Sequence, residues 1–192
     1  MRLLLATRNA HKLREFARLA EPHAIDPLPD EVELPPEEGT TFAENALEKA
    51  RAAAAATGRV AIADDSGIEA AALGGRPGIR SARYAGEHAS DGENLDKLLR
   101  EAPAGSPLAY VCALAYVDPA SGEERVFEER CTGTLAAVPR GERGFGYDPA
   151  FLPDDGRPSS AARTMAELSD VEKDAISHRG RAVRALLAWL PG

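Results

Sequence analysis

The amino-acid sequence predicts an α/β protein built on a mixed β-sheet. Short apolar segments typical of strands alternate with helical patterns through the first half of the chain. In the second half, two longer strand patterns on either side of a tight turn interrupt this alternation. Neither an internal repeat nor a linker divides the sequence, so we expect a single domain over residues 1–192.

The first half predicts a strand, a helix, an irregular connection and a second helix. Residues 2–6 form a short apolar run, and apolar side chains then recur at helical spacing over residues 13–20. Residues 22–36 are rich in proline and acid, which indicates an irregular connection or an edge strand. A capping-box sequence and the alanine-rich stretch behind it predict a helix over residues 41–57.

A further strand and a glycine-rich loop come next. Residues 60–63 are apolar, and we expect this strand to stop at the polar sequence 64–67. The stretch from there to Gly86 is rich in glycine and is predicted to be a shaped loop. A second capping box at residues 90–93 predicts the start of another helix.

The last part of the chain predicts a hairpin and a C-terminal helix. Residues 108–117 and 124–135 read as strands, and the turn between them indicates a hairpin. A third capping box lies at residues 169–172, and apolar residues at helical spacing predict a final helix over residues 178–189.

Composition limits the classes of function. The chain has 31 acidic and 23 basic residues, and a net charge of -8 disfavours nucleic-acid binding. The longest apolar run, around residues 51–57, is far shorter than the roughly 20 residues that a membrane span requires. The N-terminus has no leader pattern, so we expect an unprocessed cytoplasmic protein. Cys112 and Cys131 are too few for a structural zinc site, and we expect them reduced and packed.

The common nucleotide-binding and hydrolase signatures do not occur in the sequence. It contains no G-x-x-x-x-G-K-[ST], no G-x-G-x-x-G after a strand, no H-E-x-x-H and no G-x-S-x-G. P-loop enzymes, dinucleotide dehydrogenases, zincins and α/β-hydrolases are therefore disfavoured. What remains is a set of polar clusters at strand ends and helix starts, where open α/β sheets bind ligands.

The first polar cluster follows the first strand. Thr7, Asn9 and Lys12, together with backbone N–H groups at a helix start, would hold an anion such as a phosphate. The alternative is that Thr7 or Asn9 is only an N-cap and that Lys12 is a surface charge.

The second cluster is acidic. Asp64 and Asp65 follow an apolar run, and Glu37, Glu38 and Glu44 come from a neighbouring element. Grouped carboxylates suit Mg²⁺, with Mn²⁺ as a substitute, because these ions take hard oxygen ligands and share substrate phosphates. A further carboxylate would orient or deprotonate an attacking water. The alternative is that these acids begin turns and cap helices.

The third cluster combines aromatic and basic residues. Phe145 and Tyr147 lie among glycines and offer faces on which a purine could stack, while Arg179 could donate to a base oxygen. His178 is explained equally well as a packed or capping histidine.

The clusters stand in an order that resembles a known family. Six motifs carry the resemblance: Thr7-x-Asn9-x-x-Lys12; Glu37-x-Gly39-x-Thr41-Phe42-x-Glu44-Asn45-Ala46 with Lys49; Ala63-Asp64-Asp65-Ser66-Gly67; Pro77-Gly78-Ile79-x-Ser81-Ala82-Arg83-Tyr84; Phe145-Gly146-Tyr147-Asp148-Pro149; and Lys173 with Ser177-His178-Arg179-Gly180. Over nearly its full length, the chain resembles the inosine triphosphate pyrophosphatase family.

The resemblance implies a two-lobed α/β fold around a long mixed sheet with flanking helices, an active site in the cleft between the lobes, and usually a homodimer. It implies Mg²⁺-dependent hydrolysis of the non-standard purine nucleotides ITP, dITP and XTP to the monophosphate and pyrophosphate. The motifs imply that Asp65 is the proton acceptor and that Glu37 and Asp65 hold the metal. The implied phosphate-binding residues are Thr7, Asn9, Lys12, Lys49 and Ser66, and the implied base-binding residues are Phe145, Gly146, Tyr147, Asp148, Lys173, His178 and Arg179.

One loop departs from the family pattern, and two alternative functions stay open. Residues 154–164 form a longer loop than the family usually has, with Arg163 in the place of a lysine. One alternative is a Maf-like pyrophosphatase of modified pyrimidine nucleotides, which the Phe-Gly-Tyr-Asp and Ser-His-Arg-Gly runs disfavour. The other is a sensor that binds nucleotide without hydrolysing it, for which Asp65 would have no use.

Overall fold

A computed structural model describes residues 1–156 and 162–190 of the chain, and within these residues it has a mixed six-stranded sheet with flanking helices. The strands are β1 (Arg2–Leu5), β2 (Ala24–Pro27), β3 (Ala61–Ala70), β4 (Pro107–Asp118), β5 (Glu123–Leu135) and β6 (Phe151–Pro153). The α-helices are α1 (Ala10–Leu19), α2 (Phe42–Thr57), α3 (Asp91–Glu101), α4 (Asp170–Ile176) and α5 (His178–Trp189). The predicted α/β class is confirmed.

The strand order in the sheet is β2-β1-β3-β4-β5-β6. Strand β1 pairs in parallel with β2, in the register Arg2 to Ala24, and with β3, in the register Leu4 to Ala61. Parallel neighbours need a crossover connection, and helices α1 and α2 supply it. Strands β5 and β6 are antiparallel. The proline-rich connection contributes the edge strand β2, as predicted.

Side-chain capping fixes the helix starts. Thr41, Ser90 and Ser169 each accept a backbone N–H three residues ahead, and the glutamate at that position accepts the backbone N–H of the capping residue. All three predicted capping boxes are confirmed. A fourth box, from Thr164 to Glu167, opens a short 3-10 helix that was not predicted from the sequence.

Strand β3 is longer than predicted. It does not stop at Ala63 but continues through Asp64 and Asp65 to Ala70. Aspartate is depleted in strands, since a buried carboxylate is costly unless it is paired. Asp64 and Asp65 are nevertheless 1% and 5% exposed, because side chains distant in sequence contact them: Lys12 pairs with Asp64, and the Asn45 amide donates to Asp65.

The chain divides into two compact units. The first comprises Met1–Asp65, Cys112–Glu129 and Arg179–Gly192, and the second comprises Ser66–Val111 and Arg130–His178. Each unit has its own apolar core, and full burial of one large apolar side chain contributes about 1.5–3 kcal/mol to stability. The first core includes Phe16, Ile62, Leu114 and Leu186, and the second includes Leu98, Phe151, Met165 and Leu168.

Three further expectations concern the membrane, the cysteines and the long loop. No helix in the described ranges has the length and apolar character needed to cross a membrane. Cys112 and Cys131 are buried and free of disulfides. Residues 157–161 of the predicted long loop lie outside the described residues, whereas Arg163 is described and forms an ion pair with Glu172.

Candidate active site

The segment between β1 and α1 carries the predicted phosphate-binding residues of the first unit. The Oδ1 atom of Asn9 accepts the backbone N–H groups of His11 at 2.8 Å and Lys12 at 3.2 Å, so Asn9 is the N-cap of α1. Thr7 accepts the backbone N–H of Asn9 at 3.2 Å. Both side chains therefore shape a helix start at which an anion would be favourable.

Lys12 belongs to a buried network of alternating charges. Its Nζ atom lies 3.0 Å from Oδ2 of Asp64, and the same oxygen accepts a hydrogen bond from Nη2 of Arg179 at 3.2 Å. The other terminal nitrogen of Arg179 is paired with Glu15. Burial would raise the pKa of Asp64, but the positive charges of Lys12, Arg179 and Lys49 outweigh it and hold that pKa well below its usual value.

Lys49 joins the carboxylate of Glu37 to the backbone of strand β3 one residue before Asp65. From helix α2, its Nζ atom donates to Oε1 of Glu37 at 2.5 Å and to the backbone carbonyl of Asp64 at 2.9 Å. Burial would lower the pKa of Lys49, but the charges of Glu37, Asp64 and Asp65 raise it. The ammonium group therefore stays protonated near neutral pH.

Asp65 has a different environment from Asp64. Its Oδ2 atom accepts a hydrogen bond from Nδ2 of Asn45 at 2.8 Å. Burial raises the pKa of Asp65, the charge of Lys49 opposes this and the charge of Glu37 adds to it, so that the net shift is upward. Two neighbouring aspartates thus have pKa values displaced in opposite directions, which is typical of sites that assign different roles to similar groups.

Glu37 and Asp65 supply carboxylate oxygens, which are the type of ligand that Mg²⁺ prefers. The residues that the structure describes contain no group of three or more histidine, cysteine or acidic side chains arranged to hold a metal ion. Mg²⁺ does not need one, because it is commonly bound by one or two carboxylates together with substrate phosphates. Of the other predicted acids, Glu44 is occupied by the capping box of α2.

In the second unit, Asp148 organises the aromatic and basic residues. Its Oδ2 atom accepts Nζ of Lys173 at 2.7 Å and the backbone N–H of Phe145 at 3.0 Å, and its Oδ1 atom accepts the Tyr110 hydroxyl at 3.1 Å. The Lys173 ammonium lies 5.2 Å from the centre of the Phe145 ring. A Cβ atom on Gly144 would stand 2.0 Å from Asp148 Oδ2, so glycine permits the close approach of the chain.

His178 and Tyr147 are both held by contacts within the second unit. The His178 ring stacks on Tyr110, with centroids 4.6 Å apart and planes 10° from parallel. The Tyr147 hydroxyl donates to the backbone carbonyl of Ser81 at 2.7 Å. One face of the His178 ring is therefore packed against Tyr110, in agreement with the alternative that His178 is a packed histidine.

The predicted site residues fall in both units. The first unit holds Thr7, Asn9, Lys12, Glu37, Lys49, Asp65 and Arg179, and the second holds Ser66, Phe145, Gly146, Tyr147, Asp148, Lys173 and His178. The structure places the Arg179 guanidinium on Asp64 and Glu15, which the sequence did not indicate. A role for Arg179 in binding the nucleotide base stays a prediction.

Three residues of these clusters were not predicted from the sequence. Asn45 precedes Lys49 by one helical turn, and a polar residue at that spacing on an alanine-rich face is a usable signal. Glu15 follows Lys12 by three residues on α1 and could have been noticed in the same way. Tyr110 lies within an apolar strand pattern and gave no signal.

A model of the Ham1 family matches residues 3–189 of the chain. The chain belongs to the Ham1 family. The dITP/XTP pyrophosphatase of Mycolicibacterium paratuberculosis is 49% identical over 199 residues, which cover 98% of this Ham1 chain and 95% of the relative. The dITP/XTP pyrophosphatase of Geobacillus kaustophilus is 47% identical and covers 96% of this chain and 91% of the relative.

Solved Ham1 structures agree with the fold. A HAM1 protein from Coxiella burnetii matches with a TM-score of 0.85 and 38% identity, covering 98% of this chain and 97% of that one. A nucleoside-triphosphatase / dITP/XTP pyrophosphatase from Mycobacterium abscessus matches with a TM-score of 0.73 and 45% identity, covering 97% and 99%. The family resemblance predicted from the ordered motifs is confirmed.

Proposed function

We propose that this Ham1 protein hydrolyses non-standard purine nucleoside triphosphates, namely dITP, ITP and XTP, to the nucleoside monophosphate and pyrophosphate. The observation that carries the proposal is the arrangement of Lys12, Lys49, Glu37 and Asp65 in the first unit of a chain whose relatives are named dITP/XTP pyrophosphatases. In this arrangement, two lysines provide positive charge that would attract a triphosphate. Two carboxylates provide oxygens that would bind a metal ion and accept a proton from water.

The reaction breaks the anhydride bond between the α- and β-phosphates and consumes one water. Phosphate charge repels a water nucleophile, so cations that neutralise the triphosphate lower the barrier. Lys12 and Lys49 supply positive charge, and Thr7, Asn9 and Ser66 contribute hydrogen-bonding groups to the phosphates. In this scheme Asp65 accepts the proton of the attacking water.

Burial and the raised pKa support this role for Asp65. A carboxyl whose pKa is raised is a better proton acceptor than an exposed aspartate. Glu37 and Asp65 would hold Mg²⁺, or Mn²⁺ in its place. The ion would neutralise phosphate charge and orient the triphosphate.

The aromatic and basic residues of the second unit are proposed to recognise the base. Phe145 and Tyr147 offer aromatic surface, while Lys173 brings a cation to the Phe145 ring. The 6-oxo group of hypoxanthine and xanthine accepts hydrogen bonds where adenine presents a donor, so a cationic donor favours these bases. Gly146, Asp148, His178 and Arg179 complete the proposed set.

The acidic charge of the chain supports a small nucleotide substrate over a nucleic acid. We further propose that the protein acts as a homodimer in the cytoplasm, without a membrane partner. Light scattering coupled to size-exclusion chromatography tests the dimer, for which the expected mass is twice the 20.3 kDa of one chain.

Hydrolysis of a nucleotide panel tests the function. We would measure pyrophosphate and orthophosphate separately from ITP, dITP, XTP, GTP, ATP and dTTP with Mg²⁺. The expected result is pyrophosphate released mainly from the first three nucleotides. A preference for the pyrimidine nucleotide dTTP would favour the Maf-like alternative, orthophosphate release would indicate a phosphohydrolase, and binding without turnover would indicate a sensor.

A further inference from the structure

Asn45 connects Asp65 to the segment that carries Glu37. It lies in the first turns of α2 and is 1% exposed. Its Nδ2 atom donates to Oδ2 of Asp65 at 2.8 Å, and its Oδ1 atom accepts the backbone N–H of Gly39 at 2.8 Å. The nitrogen of this buried amide therefore contacts Asp65 on strand β3, and its oxygen contacts Gly39 on the segment that carries Glu37.

The orientation of the Asn45 amide follows from its partners. A backbone N–H can only donate, so the atom that faces Gly39 must be the oxygen. The amide nitrogen then necessarily faces Asp65, whose ionised carboxylate can only accept. The two hydrogen bonds fix each other, and a rotated amide would lose both.

Gly39 is required for this contact. A Cβ atom at position 39 would lie 2.5 Å from Oδ1 of Asn45 and 2.9 Å from Cβ of Glu44. Glycine lets the backbone two residues after Glu37 approach the amide closely enough for the hydrogen bond. The hydrogen bond between Asn45 and the segment that carries Glu37 therefore depends on the absence of a side chain at position 39.

Lys49 makes a second link between the same two segments. It follows Asn45 by four residues on α2, so the two side chains lie on one face of the helix. Lys49 joins Glu37 to the carbonyl of Asp64, one residue before Asp65. The Glu37–Gly39 segment and strand β3 are therefore tied together by two consecutive helical turns.

The chemistry of the two links differs. Lys49 brings a positive charge and forms an ion pair, whereas Asn45 is neutral and contacts Asp65 without neutralising it. A neutral donor fixes the direction of a carboxylate and leaves its negative charge for a cation or a proton. This is the property that a residue supporting a reacting carboxylate needs.

We propose that Asn45 is a positioning residue for Asp65, which sets the direction of that carboxylate relative to Glu37. The proposal rests on the proposed function, in which Asp65 and Glu37 touch the metal and the water. Asn45 itself acts through Asp65.

The test compares Asn45→Ala with a matched buried asparagine. Asn94 on α3 is 2% exposed, accepts the N–H of Ala85 at 2.7 Å and donates to the carbonyl of Ala82 at 3.1 Å. Asn94→Ala thus removes an equivalent amide from a loop contact in the second unit. Removal of a residue that supports a metal ligand typically costs 10–100-fold in affinity or activity.

Two readouts separate positioning from a general structural role. Asn45→Ala is expected to lower kcat for dITP by about 10–100-fold with KM within about twofold, and to weaken Mn²⁺ binding to the nucleotide-free protein by a similar factor. Mn²⁺ binding is followed by electron paramagnetic resonance. Asn94→Ala is expected to change neither quantity more than about twofold on the same scale. Wild-type kcat and Mn²⁺ affinity in Asn45→Ala would overturn the proposal.

A second variant covers the case in which Asn45→Ala does not fold. Asn45→Asp preserves the shape and the acceptor for Gly39 but replaces the donor with a second carboxylate, and it is expected to lose turnover while remaining folded. Full turnover in Asn45→Asp would overturn the proposal. If the wild type releases no pyrophosphate from dITP, the proposed function fails, and the Mn²⁺ comparison still decides whether Asn45 supports Asp65.

Discussion

Arg179 and Asp64 form a buried ion pair in the first unit, with 3.2 Å between Nη2 and Oδ2. Lys12 contacts the same carboxylate oxygen, and Glu15 pairs with the other end of the guanidinium. Positive and negative side chains therefore alternate from one contact to the next, in the order Lys12, Asp64, Arg179, Glu15. Each buried charge is compensated only while its neighbours are present.

Replacing Arg179 with methionine is expected to lower the free energy of unfolding by about 3–5 kcal/mol, because Asp64 and Glu15 would lose their shared buried partner. Urea unfolding measures the loss. Arg100→Met, at an exposed position of α3, is the control and is expected to change stability by no more than about 0.5 kcal/mol. A stable Arg179→Met variant with a strongly raised KM would instead favour a role confined to the base.

The stability contributed by Asp64 is expected to depend on pH. Its folded pKa lies below its unfolded value near 3.9, so the stabilisation is fully present above about pH 4 to 5 and is lost as the pH falls through the folded pKa. Unfolding of the wild type and of Asp64→Asn should be compared from pH 7 to pH 3. The stability difference should stay constant down to about pH 5 and shrink below about pH 4. A difference that grows in acid would contradict this.

Replacement of Lys173 is expected to lower the stability of the protein, because Asp148 would stay buried without its cationic partner. Lys173→Met should lower the free energy of unfolding by about 3–5 kcal/mol, since the buried carboxylate loses its cation. The double variant Lys173→Met/Asp148→Asn removes both charges and should recover a large part of that loss. Chemical denaturation of the four proteins of this cycle gives the interaction free energy, and strict additivity would show that the pair is not coupled.

Cys112 is expected to be unreactive in the folded protein. Burial, with a further contribution from Asp64, raises the pKa of its thiol to about 12, and the thiolate is the reactive form. Iodoacetamide at pH 8 should therefore modify Cys112 only at the rate at which the protein opens, as followed by mass spectrometry in increasing urea. Rapid modification without urea would show that the thiol is accessible.

Local features of the fold could be predicted from the sequence. The boxes at Thr41, Ser90 and Ser169 use partners three residues apart, so the sequence contains all the information they need. The prolines around β2 indicated an irregular connection or an edge strand, and the structure has an edge strand there.

Features that depend on distant partners could not be predicted in this way. Strand β3 continues through Asp64 and Asp65 because Lys12 and Arg179 compensate Asp64, and these residues are 52 and 115 positions away. The ordered motifs identified the family but did not show that Arg179 is paired with Glu15. Tyr110 was missed because it lies among apolar residues of strand β4 and its polar partner, Asp148, is 38 positions away.

The measurement that tests the account most directly is pyrophosphate release from dITP by Asp65→Asn, with the exposed Asp96→Asn as control. Loss of a general base is expected to lower kcat by about 10²–10⁴-fold, with circular dichroism and dITP binding preserved. Asp96→Asn should keep the wild-type rate. Wild-type turnover in Asp65→Asn would mean that the proton acceptor lies elsewhere and would contradict the central claim.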